Sequence, residues 1–209
     1  MSYLAVRSRF AAQGVVSTHE LRKAFPGFDK RRLVEWQAHG YLQRIVNRWY
    51  RFTETPVDEA LLWFTANRIY QPAYLSLETT FSYHGLIPEG VYTLTSVSPR
   101  KTQEYHTALG TFRYRHLLPR LYFGYEVLRP NGDRPVLMAD LEKALLDYCY
   151  LHPELRTPAD FAALRLNTDV LQARLNPARL ADYQTLFAHQ RLNQRIKALL
   201  SALSLAHLA

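Results

Sequence analysis

Cysteine is almost absent from this sequence of 209 residues, and its one cysteine, Cys149, excludes a disulfide within the chain. Long apolar runs are missing as well. No stretch of about 18 apolar residues occurs, so we expect no transmembrane helix. Residues 1–9 contain neither a long apolar core nor a cleavage-like site, so we expect no secretory signal. These absences predict a soluble protein of the reducing cytoplasm.

Motifs for cofactors and metals are also missing. The sequence contains no glycine-rich phosphate-binding loop, no Gly-x-Ser-x-Gly elbow and no Cys-x-x-Cys pair. None of its eight histidines lies four residues from another, which is the spacing of a common helical metal site. We therefore predict no cofactor, no metal and no enzymatic activity.

Acidic residues are scarce in the first quarter of the chain. Residues 1–52 contain ten Lys and Arg but three Asp and Glu, a net charge of +7, whereas the whole chain has a net charge of +8. The remainder of the chain is therefore close to neutral. A basic module joined to a near-neutral body indicates that the front end binds a polyanion.

The spacing of apolar residues predicts three helices in this basic module, over about 3–12, 18–24 and 29–39. Ser17 and Glu20 have the spacing of a capping box, in which each side chain bonds the backbone amide of the other residue. Asp29 is placed to cap the third helix, and Gly40 to end it.

The third helix carries the first candidate binding residues. Leu33 and Trp36 share one face and should pack inward. Lys30, Arg31 and Arg32 occupy the first turn, where cations oppose the helix dipole and an external anion would relieve the repulsion. We therefore predict that these three residues contact DNA.

Residues 41–52 are rich in β-branched and aromatic side chains and predict a β-hairpin that turns at Asn47 and Arg48. Three helices followed by a hairpin indicate a winged helix-turn-helix over residues 1–52. In such a domain the third helix enters the major groove and the wing contacts a phosphate or the minor groove. Arg44 and Arg48 of the hairpin are therefore two further predicted DNA-binding residues.

The body, residues 57–209, is predicted to be a mixed α/β domain with a small antiparallel sheet and a helical tail, so the fold class is α+β. Helices are expected over about 55–70, 75–86, 140–149 and 190–209, with further helix from 157 that breaks at Asn176-Pro177. Strands are expected over 91–97, 107–117, 121–127 and 136–138, with a turn at Asn131-Gly132-Asp133. The polar residues 53–56 mark the predicted boundary between the two domains.

Three features of the body receive structural interpretations. Glu142, Lys143 and Asp147 lie close on one predicted helix, and capping and surface pairing are expected of them rather than catalysis. The polar residues between 93 and 101 indicate a solvated strand edge, with a partner or anion site as the alternative. Cys149 lies in an apolar run and should be a buried, unreactive thiol.

Several blocks of the body follow one another in a recognisable order: 74–78, 83–88, 93–98, 110–114, 123–125 and 139–147. In order and spacing they resemble the AbiEi-type antitoxins of type IV toxin–antitoxin systems, which act in bacterial abortive infection. With the basic module included, the resemblance covers about residues 5–151, and residues 152–209 match no pattern. The turn Asn47-Arg48-Trp49 departs from the glycine-rich wing turn of many relatives.

The resemblance implies a transcriptional regulator whose winged domain binds inverted repeats of operator DNA and represses its own operon. It implies that the C-terminal domain counteracts a nucleotidyltransferase-like toxin, without needing a stable complex with that toxin. Two alternatives remain open from the residues alone. The winged domain could mediate protein contacts instead, or the body could contain a nucleic-acid-processing enzyme.

Overall fold

The computed structural model describes residues 1–88, 90, 92–130, 132 and 134–208. The basic module contains three helices and three strands, which are α1 (Tyr3–Phe10), β1 (Val15–Ser17), α2 (Thr18–Ala24), α3 (Arg31–Ala38), β2 (Leu42–Val46) and β3 (Trp49–Phe52). The three predicted helices and the predicted hairpin are therefore confirmed. The first helix continues past Phe10 as one 3₁₀ turn and ends at Gly14, whose φ of 78° is left-handed.

Local signals set the ends of these helices. Ser17 and Glu20 form the predicted capping box, because the Glu20 amide donates to Ser17 Oγ over 3.1 Å and the Ser17 amide donates to Glu20 Oε2 over 2.8 Å. Asp29 Oδ1 accepts from the Arg31 amide at 2.9 Å and so satisfies one free donor at the start of α3.

The hairpin turns at Asn47 and Arg48, as predicted, and Arg48 takes a positive φ of 69°. Two-residue hairpin turns need such left-handed backbone. β1 pairs antiparallel with the outer side of β3, which gives a three-stranded sheet in the order β1-β3-β2. Val6, Leu33 and Trp36 belong to the buried cluster that joins the helices to this sheet.

The body begins with α4 (Glu59–Ile69), which Asp58 caps, and then alternates short helices and strands. These elements are β4 (Tyr74–Leu75), α5 (Leu77–Tyr83), β5 (Thr93–Ser98), β6 (Gln103–Thr107), β7 (Gly110–His116), β8 (Tyr125–Leu128), β9 (Val136–Ala139) and α6 (Leu141–Leu151). Residue 91, at the start of one predicted strand, and residues 131 and 133 of the predicted turn lie outside the described residues.

Six strands of the body form one sheet in the order β6-β7-β5-β4-β9-β8. The α+β class is confirmed, and beyond the antiparallel pairings that the sequence predicts, the pairs β5–β7 and β4–β9 are parallel. The helix predicted over 75–86 is wrong at its start, because Leu75 pairs with Ser96 and Met138 in the sheet. Sheet pairing with distant strands therefore overrides the local helical pattern.

In the described part of the chain, four α-helices follow: α7 (Pro158–Ala162), α8 (Thr168–Arg174), α9 (Pro177–Phe187) and α10 (Gln190–Ala202). A 3₁₀ turn at Ala206–Leu208 comes after them. The break at Asn176 is confirmed, since its side chain caps α9. The terminal helix ends at Ala202 rather than continuing to residue 209. Its buried face, with Leu192 and Ile196, packs in the same cluster as Leu145 of α6, so this helix is packed within the chain.

The basic module and the body are packed against each other. Val15 and Ile45 of the module belong to one hydrophobic cluster with Leu61 of α4. Beside this cluster, Arg68 of α4 forms an ion pair with Glu20 of α2. None of the helices formed by the described residues has the length and apolar character needed to cross a membrane.

Candidate nucleic-acid interface

The outer face of α3 is set by what its inner face buries. Leu33 and Trp36 are each 3% exposed and anchor the helix to the module. The opposite face therefore points to solvent, and it presents Arg31, Val34 and Glu35. Val34 is 69% exposed, so a large apolar side chain lies uncovered between charged ones.

The three cations predicted to contact DNA at the start of α3 are all exposed, but acids accompany two of them. Arg31 Nε donates to Asp29 Oδ2 over 2.8 Å, and Arg32 Nη1 donates to Glu35 Oε2 over 2.9 Å. The Lys30 carbonyl accepts from the Leu33 amide at 3.0 Å, but its ammonium group takes part in none of the hydrogen bonds or ion pairs found among the described residues. The net charge of this turn is therefore smaller than its run of three cations suggests.

The hydrogen bond from the Arg31 amide is the main cause that holds the pKa of Asp29 below its usual value, and the Arg31 side chain adds to it. The lowered pKa favours the ionised form of Asp29, which forms the ion pair with the Arg31 side chain. That side chain is nevertheless 92% exposed. A phosphate that approached Arg31 would compete with a solvated, weakly bound carboxylate.

The two hairpin cations lie at different places. Arg44 is exposed in the middle of β2, opposite Tyr50 of β3. Arg48 lies in the turn, and its carbonyl accepts from the Thr18 amide at 2.9 Å, so the turn is held against the start of α2. The hairpin is therefore short and anchored at its turn.

Arg48 also lines a crevice of about 370 Å³ at the junction of the module and the body. Arg68 and Arg100 of the body and His19 of α2 line the same crevice. Arg68 is paired with Glu20, whereas Arg100 lies over the ring of Tyr70 at 4.3 Å. Sequence patterns do not group Arg68 and Arg100 with the hairpin, because Arg68 lies in α4 and Arg100 follows β5.

Other cations of the basic module serve its structure. Arg7 binds Glu54 through an ion pair of 2.7 Å. Arg51 donates to the side chain of Gln43 and to the carbonyl of Thr55, which fixes the end of the hairpin. The net charge of the module therefore overstates the charge that its surface offers to a ligand.

The charged residues of α6 are buried, and the expectation of surface pairing is wrong. Lys143 and Asp147 are fully buried and form an ion pair one helical turn apart. Asp147 Oδ2 also accepts hydrogen bonds of 2.9 Å from the hydroxyls of Tyr74 and Ser76, at the two ends of β4. Helix α6 carries these charges inward because its neighbours in the sheet supply the matching polar groups.

Burial opposes both charges of this pair. It lowers the pKa of Lys143 and raises the pKa of Asp147, while their mutual attraction acts in the opposite direction on each. The Lys143 Nζ atom lies between 4.9 and 5.4 Å from the ring centroids of Tyr74, Phe123 and Phe187. These aromatic faces replace part of the hydration that the ammonium loses.

A second polar layer joins α6 to α9. The cap residue Asp140 accepts from the Tyr183 hydroxyl at 2.7 Å. Glu142 accepts from the Asn176 amide at 2.6 Å, and Arg179 lies within 3.5 Å of the other Glu142 oxygen. The carboxylates of this helix therefore fix the position of the tail.

The polar residues between 93 and 101 do not form a solvated strand edge, so that prediction is wrong. β5 lies inside the sheet between β7 and β4, and Thr95, Ser96 and Ser98 are buried. Their spacing could not reveal this, because burial of the strand depends on β7, which follows later in the chain. Arg100 and Lys101, just beyond the strand, are at the surface.

Cys149 is 1% exposed, and burial raises the pKa of its thiol to about 12. The prediction of a buried thiol is confirmed.

No family model matches the sequence, and a search of curated proteins finds no significant match.

Proposed function

We propose that the protein is a sequence-specific DNA-binding regulator with a winged helix-turn-helix at residues 1–52. The observation that carries the proposal is the exposed surface at the start of α3, where Lys30, Arg31 and Arg32 lie near an uncovered Val34. Arginine side chains read guanine in the major groove, and an apolar side chain can pack on a thymine methyl group. Arg44 and Arg48 of the hairpin then bind the phosphate backbone.

We further propose that this regulator is the antitoxin of a type IV toxin–antitoxin pair, represses its own operon and counteracts a nucleotidyltransferase-like toxin. The order of the sequence blocks that resemble AbiEi-type antitoxins supports this assignment. We assign no catalytic role to the body. The full burial of Lys143 and Asp147 supports that choice, since a catalytic pair needs access to its substrate.

A protein-interaction role of the basic module is the second candidate. The ion pairs of Arg31 with Asp29 and of Arg32 with Glu35 favour it, because they reduce the charge available to a phosphate. The uncovered Val34 fits a protein partner as well as a thymine. Salt dependence separates the two, since each phosphate contact contributes about −0.9 to the slope of log K against log salt.

The test is a fluorescence anisotropy titration of the full chain with its own upstream DNA and with random DNA of equal length, at two salt concentrations. The double variant Arg31→Ala/Arg32→Ala should bind the upstream DNA about a hundredfold more weakly, since each base-contacting arginine contributes about 1–3 kcal/mol. The Tm should stay within a few degrees, because both side chains are exposed.

The control is Arg129→Ala/Lys197→Ala, which removes two exposed cations from the body and so causes the same loss of net charge. It should leave the affinity for upstream DNA nearly unchanged. Equal affinity of the unchanged protein for both DNAs would exclude sequence-specific regulation. The antitoxin role is tested separately, by whether the chain restores growth of cells that express a neighbouring nucleotidyltransferase gene.

A further inference from the structure

The C-terminal part of the chain contains a cavity of about 680 Å³ between α6, α7 and α10. Tyr150 near the end of α6 and Phe161 of α7 form one side of it, and successive turns of α10 form the other. Its volume is in the range of small-molecule sites, which is about 300–1,000 Å³. Most of its lining belongs to residues 152–209, to which the family resemblance does not extend.

The charge of this cavity is of one sign. Arg156, Arg191 and Arg195 line it together with His189, and no Asp or Glu is among the lining residues, all of which the structure describes. None of these arginines takes part in an ion pair within the described part of the chain. The positive charge is therefore not neutralised, and a cleft of this kind concentrates anions.

Arg195 is held in place without losing its charge. Its Nε, Nη1 and Nη2 atoms donate to the carbonyls of Leu155, Cys149 and Pro153 over 2.8–3.2 Å. A guanidinium has five N–H donors, so two remain after these three bonds. Carbonyls are neutral acceptors, so these bonds do not cancel the charge of the Arg195 guanidinium. The guanidinium is therefore a cation of fixed position that has two further N–H donors.

The other polar groups of the lining also have free donors. His189 Nδ1 accepts from the Leu192 amide at 3.0 Å, which leaves the ring proton of the neutral histidine on Nε2 as a donor. Arg156 donates through Nε to the Pro153 carbonyl and keeps its terminal nitrogens. Arg191 is exposed, and its guanidinium forms none of the side-chain hydrogen bonds found among the described residues.

The remaining wall is aromatic and aliphatic. Tyr150 and Leu155 line it and are half-buried, whereas Phe161 lies behind them and is fully buried. The Tyr150 ring meets the His189 ring edge to face at 5.6 Å between centroids. Such a wall suits a planar ring of a ligand, whereas the arginines suit its charged group. A phosphate monoester carries close to two negative charges at pH 7 and accepts paired N–H donors from arginine.

We propose that this cavity binds a phosphorylated small molecule with a planar ring, of the size of a nucleoside monophosphate. The phosphate contacts Arg156, Arg191 and Arg195, and the ring packs against Tyr150 and Leu155. This site is separate from the outer face of α3, and the proposal does not depend on DNA binding.

Isothermal titration calorimetry of the full chain tests the proposal, with AMP, adenosine and inorganic phosphate as the three probes. AMP should bind at least about tenfold more tightly than adenosine, which lacks the charge, and also more tightly than inorganic phosphate, which lacks the ring. Absence of binding by AMP at millimolar concentration would overturn the proposal. Equal binding of AMP and either other probe would overturn it as well.

Two variants on α10 test whether AMP binds in this cavity. Arg191→Ala should weaken AMP binding about tenfold through loss of a charge-assisted hydrogen bond. Lys197→Ala removes the same charge from the same helix, is also exposed, and does not line the cavity, so it should leave AMP binding within about twofold. Equal effects of the two variants would show general charge attraction and would overturn the assignment of this cavity.

Discussion

At the scale of single residues, the buried pair of Lys143 and Asp147 carries a large desolvation cost, because both side chains are fully buried. Two charges that are removed from water are stabilised only when further hydrogen bonds satisfy the donors and acceptors that the ion pair leaves free. Tyr74 and Ser76 supply such bonds to Asp147. Gly124 makes room for the lysine, since a Cβ at that position would lie 2.9 Å from Lys143 Cγ.

Removal of the lysine alone should therefore destabilise the protein strongly. Lys143→Met leaves Asp147 buried without its cationic partner, and the expected loss is roughly 3–5 kcal/mol in the free energy of unfolding measured with urea. Adding Asp147→Asn removes the unpaired carboxyl group. The amide oxygen still accepts from the Tyr74 and Ser76 hydroxyls, so the double variant should be more stable than Lys143→Met. A double variant no more stable than that single variant would contradict this account of the pair.

At the scale of elements, the ends of α2 and α3 show how short-range signals act. The capping box at Ser17 joins β1 directly to α2, so one residue ends a strand and begins a helix. The side chain satisfies an amide of the first turn that has no partner within the helix. The orientation of α2 relative to the sheet is therefore set at this residue.

Ser17→Ala should lower the free energy of unfolding by about 1 kcal/mol, since it removes the cap of α2. Ser201→Ala, an exposed position in α10, is the matched control and should change it by no more than about 0.5 kcal/mol. Chemical denaturation monitored by circular dichroism measures both. An unchanged stability of Ser17→Ala would mean that Glu20 and water satisfy the helix start without the hydroxyl.

The difference between short-range signals and contacts of distant residues explains which features the sequence could predict. The helices and hairpin of the basic module follow from signals within a few residues, such as the cap at Ser17 and the turn at Asn47. The strand at Leu75 and the inward charges of α6 do not, because they depend on Met138 and on Tyr74, which lie far away in the sequence. Of the candidate site, the exposed cations of α3 could be identified from the sequence, whereas their acidic partners and the exposed Val34 needed the folded helix.

At the scale of the whole molecule, the junction between the basic module and the body depends on a close approach at Gly14. An added Cβ there would lie 2.6 Å from Leu61 Cδ1 and 2.9 Å from Thr55 Cγ2. Arg134 of the body reaches across as well, since its Nε donates to the Ala12 carbonyl over 3.2 Å. The orientation of α3 relative to the body is thus fixed by packing.

Gly14→Ala and Gly27→Ala form a matched pair that tests this junction. Both glycines have a φ near +80°, but a Cβ at Gly27 meets nothing within 4 Å. Gly27→Ala should lose about 1–2 kcal/mol of unfolding free energy through backbone strain alone. Gly14→Ala should lose about 1–3 kcal/mol more through overpacking. Equal losses in thermal or urea unfolding would show that the module and the body do not press together at this point.

The two-residue strand β4 has a consequence for the order in which the chain can fold during synthesis. It lies in the middle of the sheet, yet its parallel partner β9 is made about 60 residues later, after β5, β6, β7 and β8. Closing such a long loop is slow, and an unpaired strand edge stays open to wrong pairing in the meantime. The nascent body therefore holds an incomplete sheet until Met138 has left the ribosome, and the edge of β4 that faces β9 stays unpaired during this interval.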